Sequence, residues 1–208
     1  MKRVTVIDHP LVHQCLTRLR DERSDQAEFR RALSEAAALM VYEATRTMTT
    51  RTTRVRTPMG AASGVRLRRE VMLVPVLRAG LGMLHGVLNL LPSARVGLVG
   101  VKRDETSLQA GVYHRSLPAS LRDFEVLVLD PMLATGGSMV AALESLAARG
   151  ARRVRVVCLL ATPAGIRRVR QHDPAVPIFT AAVDRGLNGR GFIVPGLGDA
   201  GDRLFGAC

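Results

Sequence analysis

Residues 125–138 read EVLVLDPMLATGGS, and the fold turns on how this stretch is understood. It opens as a short apolar run, Val126–Leu129, of the kind that makes a strand buried on both faces. Asp130 ends the run. A loop follows, then Thr135-Gly136-Gly137-Ser138, then a helical pattern from Met139 to Arg149 closed by Gly150. A strand feeding a glycine loop feeding a helix suits an anion. The glycines let the backbone curl so that several N–H groups converge, and the first helical turn adds unpaired N–H groups and the positive end of its dipole. Ser138 is expected to cap that helix, and Thr135 and Ser138 add hydroxyl donors. Asp130 falls at the carboxyl edge of the expected sheet, where open α/β folds bind ligands. A phosphate in the loop, beside a carboxylate able to accept from sugar hydroxyls, implies a phosphorylated sugar. The stretch is neither a Walker loop, for it lacks Gly-Lys-Ser/Thr, nor GxGxxG.

The flanking sequence repeats the same unit. Upstream, Val71–Leu77 (VMLVPVL) predicts a strand with an irregularity at Pro75, running through Arg78-Ala79-Gly80 into a helix from Leu81 to Leu90. Val96–Val101 predicts the next strand and leads into Lys102-Arg103. Leu108–Leu121 is polar and loop-like, long enough for a mobile cover. Downstream, Val154–Leu160 predicts a strand, a helix follows from about Pro163 to Arg170, and Ile178–Val183 predicts a last strand. This alternation argues for an α/β fold with a mostly parallel central sheet and helices on both faces.

The ends differ. Val4–Ile7 is β-like. Pro10 opens a helix with Leu11, Cys15, Leu16 and Leu19 on one face, and Ser24-Asp25 starts a second, in which Asp25-x-x-Glu28 has capping-box spacing. Phe29, Leu33, Ala36 and Met40 recur at helical spacing, so the two helices form a hairpin packed on the sheet or on a second subunit. His9 and His13 are four apart with no third ligand nearby, and no metal site is expected there. Residues 47–69, rich in Thr and Arg around a Thr57-Pro58-Met59-Gly60 turn, predict an exposed antiparallel hairpin. Its arginines (51, 54, 56, 66, 68 and 69) fit a solvated edge kept soluble by charge; a subunit arm or an effector-phosphate site is the sharper alternative. Asp184–Cys208 is glycine-rich and irregular, yet too apolar for a floppy tail. The expected organisation is one domain over 1–208: an N-terminal helical segment (1–46), a β-hairpin arm (47–69), a core (70–183) and a C-terminal hood (184–208).

Composition narrows the class. The chain has 208 residues, 47% of them apolar, but only 3% aromatic and no Trp, so Ala, Val and Leu must fill the core. The net charge of +12 comes almost wholly from arginine and implies acidic partners. Nucleic acid is not the expected one, since the aromatic-interleaved patches of single-strand binders are missing. The three cysteines have no paired spacing, a reducing-compartment pattern. No signal-peptide core and no membrane-spanning run is present, so a cytoplasmic protein without a membrane partner is expected.

Several separated motifs now agree. EVLVLDPMLATGGS resembles the phosphoribosyl-pyrophosphate (PRPP) loop of the type I phosphoribosyltransferases, and its Asp-Pro-Met-Leu-Ala-Thr-Gly-Gly-Ser form resembles the uracil branch of that family. His9-Pro10-Leu11-Val12, PVLRAGLGM at 75–83 and GFIVPGLGDAGDRLFG at 191–206 are similar to the same branch, so the likeness covers essentially the whole chain. The resemblance implies a pentosyltransferase making UMP and diphosphate from PRPP and uracil. It implies that Asp130, Pro131, Met132, Leu133, Ala134, Thr135, Gly136, Gly137 and Ser138 hold the ribose and the 5-phosphate. Arg78 and Arg103 would meet the diphosphate, and Ile193, Gly198, Asp199 and Ala200 the uracil, with Asp199 also facing PRPP. Arg78, Asp130 and Asp199 are its expected catalytic residues. Mg²⁺ is implied as companion of the diphosphate. GTP as an effector and a homodimer or homotetramer are implied for some members.

The residues support this chemistry independently. PRPP is anionic at both ends. The glycine loop offers backbone donors to one, and arginine, with its planar fork, suits the leaving diphosphate at the other. Uracil shows an alternating donor–acceptor edge that peptide groups can match, and a backbone N–H aimed at O4 would reject cytosine, at a cost of about 1–3 kcal/mol for the mismatch. A pyrimidine-responsive RNA-binding regulator on the same fold, or a purine enzyme, would be the competing readings.

Overall fold

The computed structural model describes residues 4–103 and 110–206. In chain order it comprises β1 (Val4–Val6), α1 (Pro10–Arg20), α2 (Gln26–Thr45), β2 (Thr50–Thr57), β3 (Gly60–Leu67), β4 (Val71–Leu77), α3 (Leu81–Leu90), β5 (Arg95–Val96), β6 (Leu98–Arg103), β7 (Ala110–Ser116), β8 (Glu125–Leu129), β9 (Met132–Leu133), α4 (Gly137–Ala147), β10 (Val154–Ala161), α5 (Pro163–His172), β11 (Ile178–Val183), β12 (Gly186–Leu187), β13 (Ile193–Val194) and α6 (Ala200–Phe205). The main sheet runs β1-β11-β10-β8-β4-β6-β7, with β5 on β4 and β9 on β10. Its pairings are parallel except β6–β7. β8 therefore lies centrally, between β4 and β10.

Alternation along the strands sorts the core into two layers. Leu73, Leu127, Leu129, Val157 and Leu159 face α1, α2 and α3, whereas Met72, Val74, Val126, Val128, Val156 and Cys158 face α4 and α5. Strands covered on both faces need the unbroken apolar runs seen in the sequence. The irregularity expected at Pro75 is a change of partner: β4 pairs with β5 at Met72 and Leu73, then with β6 at Val76 and Leu77.

Helix α2 is held by Phe29, Leu33, Ala36 and Met40, all buried. Burying each of the three larger side chains contributes about 1.5–3 kcal/mol. Asp25 caps α2 by accepting from the Glu28 N–H at 2.8 Å. In α1 the inward residue is Val12, and Leu11 is exposed, contrary to the expected stripe; His9 caps this helix through Nδ1. The β2–β3 hairpin is antiparallel and exposed, with Arg51 opposite Arg66. Two further expectations need correction. Residues 110–116, read as loop, form β7, an antiparallel partner of β6. The supposedly irregular C-terminal stretch contains the β12–β13 ladder and α6. Of the predicted cover, Leu108–Leu121, residues 108 and 109 lie outside the described residues.

Candidate active site

Asp130 follows β8 at its carboxyl end. Its N–H donates to the Val157 carbonyl at 3.2 Å, and its carboxylate accepts from the Met132 N–H at 3.3 Å. Burial beneath the loop pushes its carboxyl up to about 7, against the pull of that N–H, although the residue keeps part of its surface accessible.

The loop after Asp130 is fixed by its carbonyls. Pro131 O accepts from Leu160 N (2.9 Å), Leu133 O from Thr162 N (3.0 Å), and Ala134 O from Thr162 Oγ1 (2.6 Å). Met132 and Leu133 form β9, in register with Leu160 and Ala161. With these carbonyls held toward β10 and α5, the negative ends of the loop's peptide dipoles face those two elements. Gly136 is the N-cap of α4, at φ +80° and without a side-chain cap bond. Ser138, expected as the cap, is instead the second residue of the helix. Only glycine suits position 136: the backbone is left-handed, and a Cβ would lie 2.9 Å from the Gly165 carbonyl. The α4 N-terminus thus begins beside Thr135, whose Oγ1 accepts from Gly137 N at 3.5 Å.

Arg78 sits just beyond β4, after a cis Leu77–Arg78 peptide. The turn that carries it closes by Gly80 N donating to Val76 O at 2.9 Å. Gly80 is pressed against the end of β8: a Cβ there would fall 2.4 Å from the Leu129 carbonyl. Arg78 therefore leaves the sheet beside the Asp130 loop. Its guanidinium, exposed to solvent, reaches the C-terminal hood, with Nη2 3.7 Å from Asp202 Oδ1 and 3.8 Å from where a Gly201 Cβ would stand. The main chain of Arg103 ends β6; its side chain lies outside the described part of the structure.

In the hood, Ile193 and Ala200 are buried, and Gly198 and Asp199 are exposed. Asp199 caps α6, its Oδ1 accepting from Asp202 N at 3.0 Å. Ile193, Leu197, Ala200 and Leu204 belong to the same apolar cluster as Leu129 and Leu160, and Met132 and Ala134 pack on that cluster. The hood and the 130–138 loop thus rest on one apolar cluster, and Arg78, carried beside the end of β8, reaches the hood.

Sequence reasoning passed over four residues that build the site. Asp202 pairs with Arg78; its signal was the Asp199-x-x-Asp202 cap spacing. Arg20 and Asp184 pin Gly196. Arg203 donates to Leu197 O at 3.0 Å and to the carbonyls of Leu19, Asp21 and Ser24, and lies over the Phe29 ring at 4.3 Å. Among the described residues no helix is long and apolar enough to cross a membrane.

Comparison with known proteins bears on this arrangement. A family model for uracil phosphoribosyltransferase matches residues 6–207. The uracil phosphoribosyltransferase of Beutenbergia cavernae is 54% identical over 208 residues, covering 98% of this chain and 99% of that protein. The AQ2163 protein of Aquifex aeolicus superposes with a TM-score of 0.93 at 36% identity, over 98% of each chain. A hypoxanthine phosphoribosyltransferase from Trypanosoma cruzi, at 15% identity and TM-score 0.51 over 78% of this chain and 76% of its own, shares the fold. A phosphoribosyltransferase core carrying the C-terminal hood described above, matched nearly end to end, places this chain in the uracil phosphoribosyltransferase family.

Proposed function

We propose that the protein transfers the phosphoribosyl group of PRPP to N1 of uracil, giving UMP and diphosphate. The observation that carries this reading is the position of Arg78, between the Asp130 loop and the glycine-rich hood. In the proposed reaction the C1–O bond to diphosphate breaks with oxocarbenium-like character. The N1–C1 bond forms on the opposite face, and the N1 proton leaves. Asp130 accepts from the ribose hydroxyls, residues 131–138 hold the 5-phosphate, and Arg78 and Arg103 take up charge developing on the diphosphate. Ile193, Gly198 and Ala200 read the base through the main chain. Asp199 faces both substrates and is the nearest candidate for the N1 proton, although its Oδ1 also holds the first turn of α6. Much of the rate comes from alignment of the two reactants.

Mg²⁺ belongs to the same proposal. Among the described residues no group of three or more His, Cys, Asp or Glu is arranged as a metal cage. Mg²⁺ would be carried mainly by diphosphate oxygens and water, as it commonly is in phosphate-binding sites. When bound, it would supply further neutralisation of the leaving group. GTP as an anionic effector, a homodimer or homotetramer, and a cytoplasmic location are parts of the proposal too. Turnover with and without GTP, and mass measurement in solution, test the first two. An RNA-binding regulator on this scaffold has no support.

The deciding experiment supplies the protein with PRPP, Mg²⁺ and each free base in turn. Nucleotide should form with uracil alone. Turnover of a purine, or of no base, would overturn the reading.

A further inference from the structure

We propose that Arg20 and Asp184 form a positioning pair that fixes the peptide turn at Gly196 and thereby sets the selectivity of the hood for its base. The inference rests on the reading of residues 193–200 as the pyrimidine site. Arg20 Nη1 donates to Asp184 Oδ2 and to the Gly196 carbonyl, both at 2.8 Å, while Nη2 donates to Asp184 Oδ1 at 2.6 Å. Asp184 Oδ2 in turn accepts from the Gly196 N–H at 2.9 Å. Both polar groups of one residue are therefore gripped by one ion pair, whose carboxylate is buried. Burial alone would raise the Asp184 carboxyl, but Arg20 and the Gly196 N–H more than reverse this and hold it below its ordinary value.

The gripped turn has little slack. Gly196 has φ +61°, and a Cβ there would stand 2.1 Å from the Ile193 carbonyl. The next carbonyl, Leu197 O, is taken by Arg203. Ile193 lies before this segment and Gly198, Asp199 and Ala200 after it, so its orientation sets the angle between the two halves of the base site. A base read by peptide edges depends on that angle, because a misplacement of about 1 Å can cost ~10²-fold in rate. The pair has no described contact with Arg78 or the 131–138 loop, and within the segment it sets only Asp199 faces PRPP, so its effect should fall mainly on the base.

Two substitutions test it. In Asp184→Asn the amide oxygen can serve Gly196 N–H and one arginine nitrogen, but its NH₂ then faces the other, donor against donor. Arg20→Lys keeps the charge and loses the fork that reaches Asp184 and Gly196 O together. Both should raise KM for uracil by at least about tenfold, as a misplacement of up to ~1 Å would cost up to ~10²-fold, with KM for PRPP within about twofold of the parent. Discrimination of uracil over cytosine should narrow, and amide exchange across 193–200 should quicken while the sheet stays protected. Should Asp184→Asn fail to fold, Arg20→Lys carries the test. Unchanged KM for uracil in the folded variants, or equal shifts for both substrates, would overturn the proposal. If the parent protein does not use uracil, the proposed function fails. Amide exchange then still decides the pair, and unaltered protection of 193–200 would refute it.

Discussion

Replacing Asp130 with Asn should make the protein more stable and less active, and both effects should depend on pH. The carboxyl titrates near 7 in the folded chain because burial opposes its charge, against about 3.9 when unfolded. Between those values the folded state binds more protons than the unfolded one, so stability falls as pH rises from about 4 to about 7 and stays low above that. The difference of about three units bounds the loss at no more than ~4 kcal/mol, at 1.36 kcal/mol per unit. Asn can still accept from Met132 N–H and carries no charge to desolvate, so the variant should melt higher than the parent at pH 8 and match it near pH 4. Each kcal/mol corresponds to roughly 2–4 °C in a chain of this size.

Function runs the other way. Only the ionised form is the strong acceptor that ribose hydroxyls need, and apparent affinity scales with the competent fraction. That fraction rises from about one-tenth at pH 6 to about nine-tenths at pH 8 for a group at 7, so KM for PRPP should fall about tenfold over the range. The phosphates of PRPP titrate near 6 as well, and Asp130→Asn isolates the contribution of the carboxyl. Thermal melts at pH 4, 6 and 8, with KM for PRPP at pH 6 and 8 in both proteins, make the assay. A variant that melts lower than the parent at pH 8, or a KM slope identical in the two, would refute the assignment of Asp130 as a strained, functional carboxylate.

Three further outcomes are expected. Arg78→Lys should cut kcat by about 10²–10³-fold, the ~2.7–4 kcal/mol of one preorganised donor, while its melting temperature barely moves, since the side chain is exposed and surface ion pairs contribute little. Gly136→Ala should destabilise by about 1–2 kcal/mol for the left-handed backbone alone and more for the Gly165 contact, and should weaken PRPP binding, as read by urea unfolding and calorimetry. Met40→Ala, at a fully buried site beneath the sheet, should cost ~2–5 kcal/mol in urea unfolding without changing KM for either substrate at low temperature.

Much of this was legible because the governing physics is local. Strands β4, β8, β10 and β11 are apolar runs that nothing but a doubly covered sheet would tolerate, and Asp25 capping α2 follows from its spacing to Glu28. The loop from Asp130 to Ser138 could be placed because a strand, two glycines and a helix leave few alternatives. The misses arise where partners are distant or signals compete. Ser138 is the better capper by propensity, but closeness to Gly165, 29 residues away from Gly136, puts the glycine at that position. In β7, Tyr113, His114 and Arg115 are all exposed, so it lacked the apolar pattern of its parallel neighbours. Leu11 and Val12 both fit a helical period with Cys15 and Leu19, and only the tertiary surroundings choose between them. The six-residue α6 is hidden by Gly201 and the flanking Gly198 and Gly206, and the Arg20–Asp184 pair, 164 positions apart, leaves no trace in local sequence.

The grip of Arg203 on the carbonyls of Leu19, Asp21 and Ser24 carries a consequence for biosynthesis. Arg203 in α6 joins the end of α1 and the turn after it, with 182 positions between Asp21 and Arg203, so the segment proposed to seat the base is closed by two distant parts of the chain. A growing chain can assemble β4, β8 and β10 around the Asp130 loop before α6 emerges, so the segment proposed to seat the base is completed later than the proposed sugar-phosphate cradle. Loss of the Arg203 contacts should leave a folded core that binds PRPP more readily than uracil.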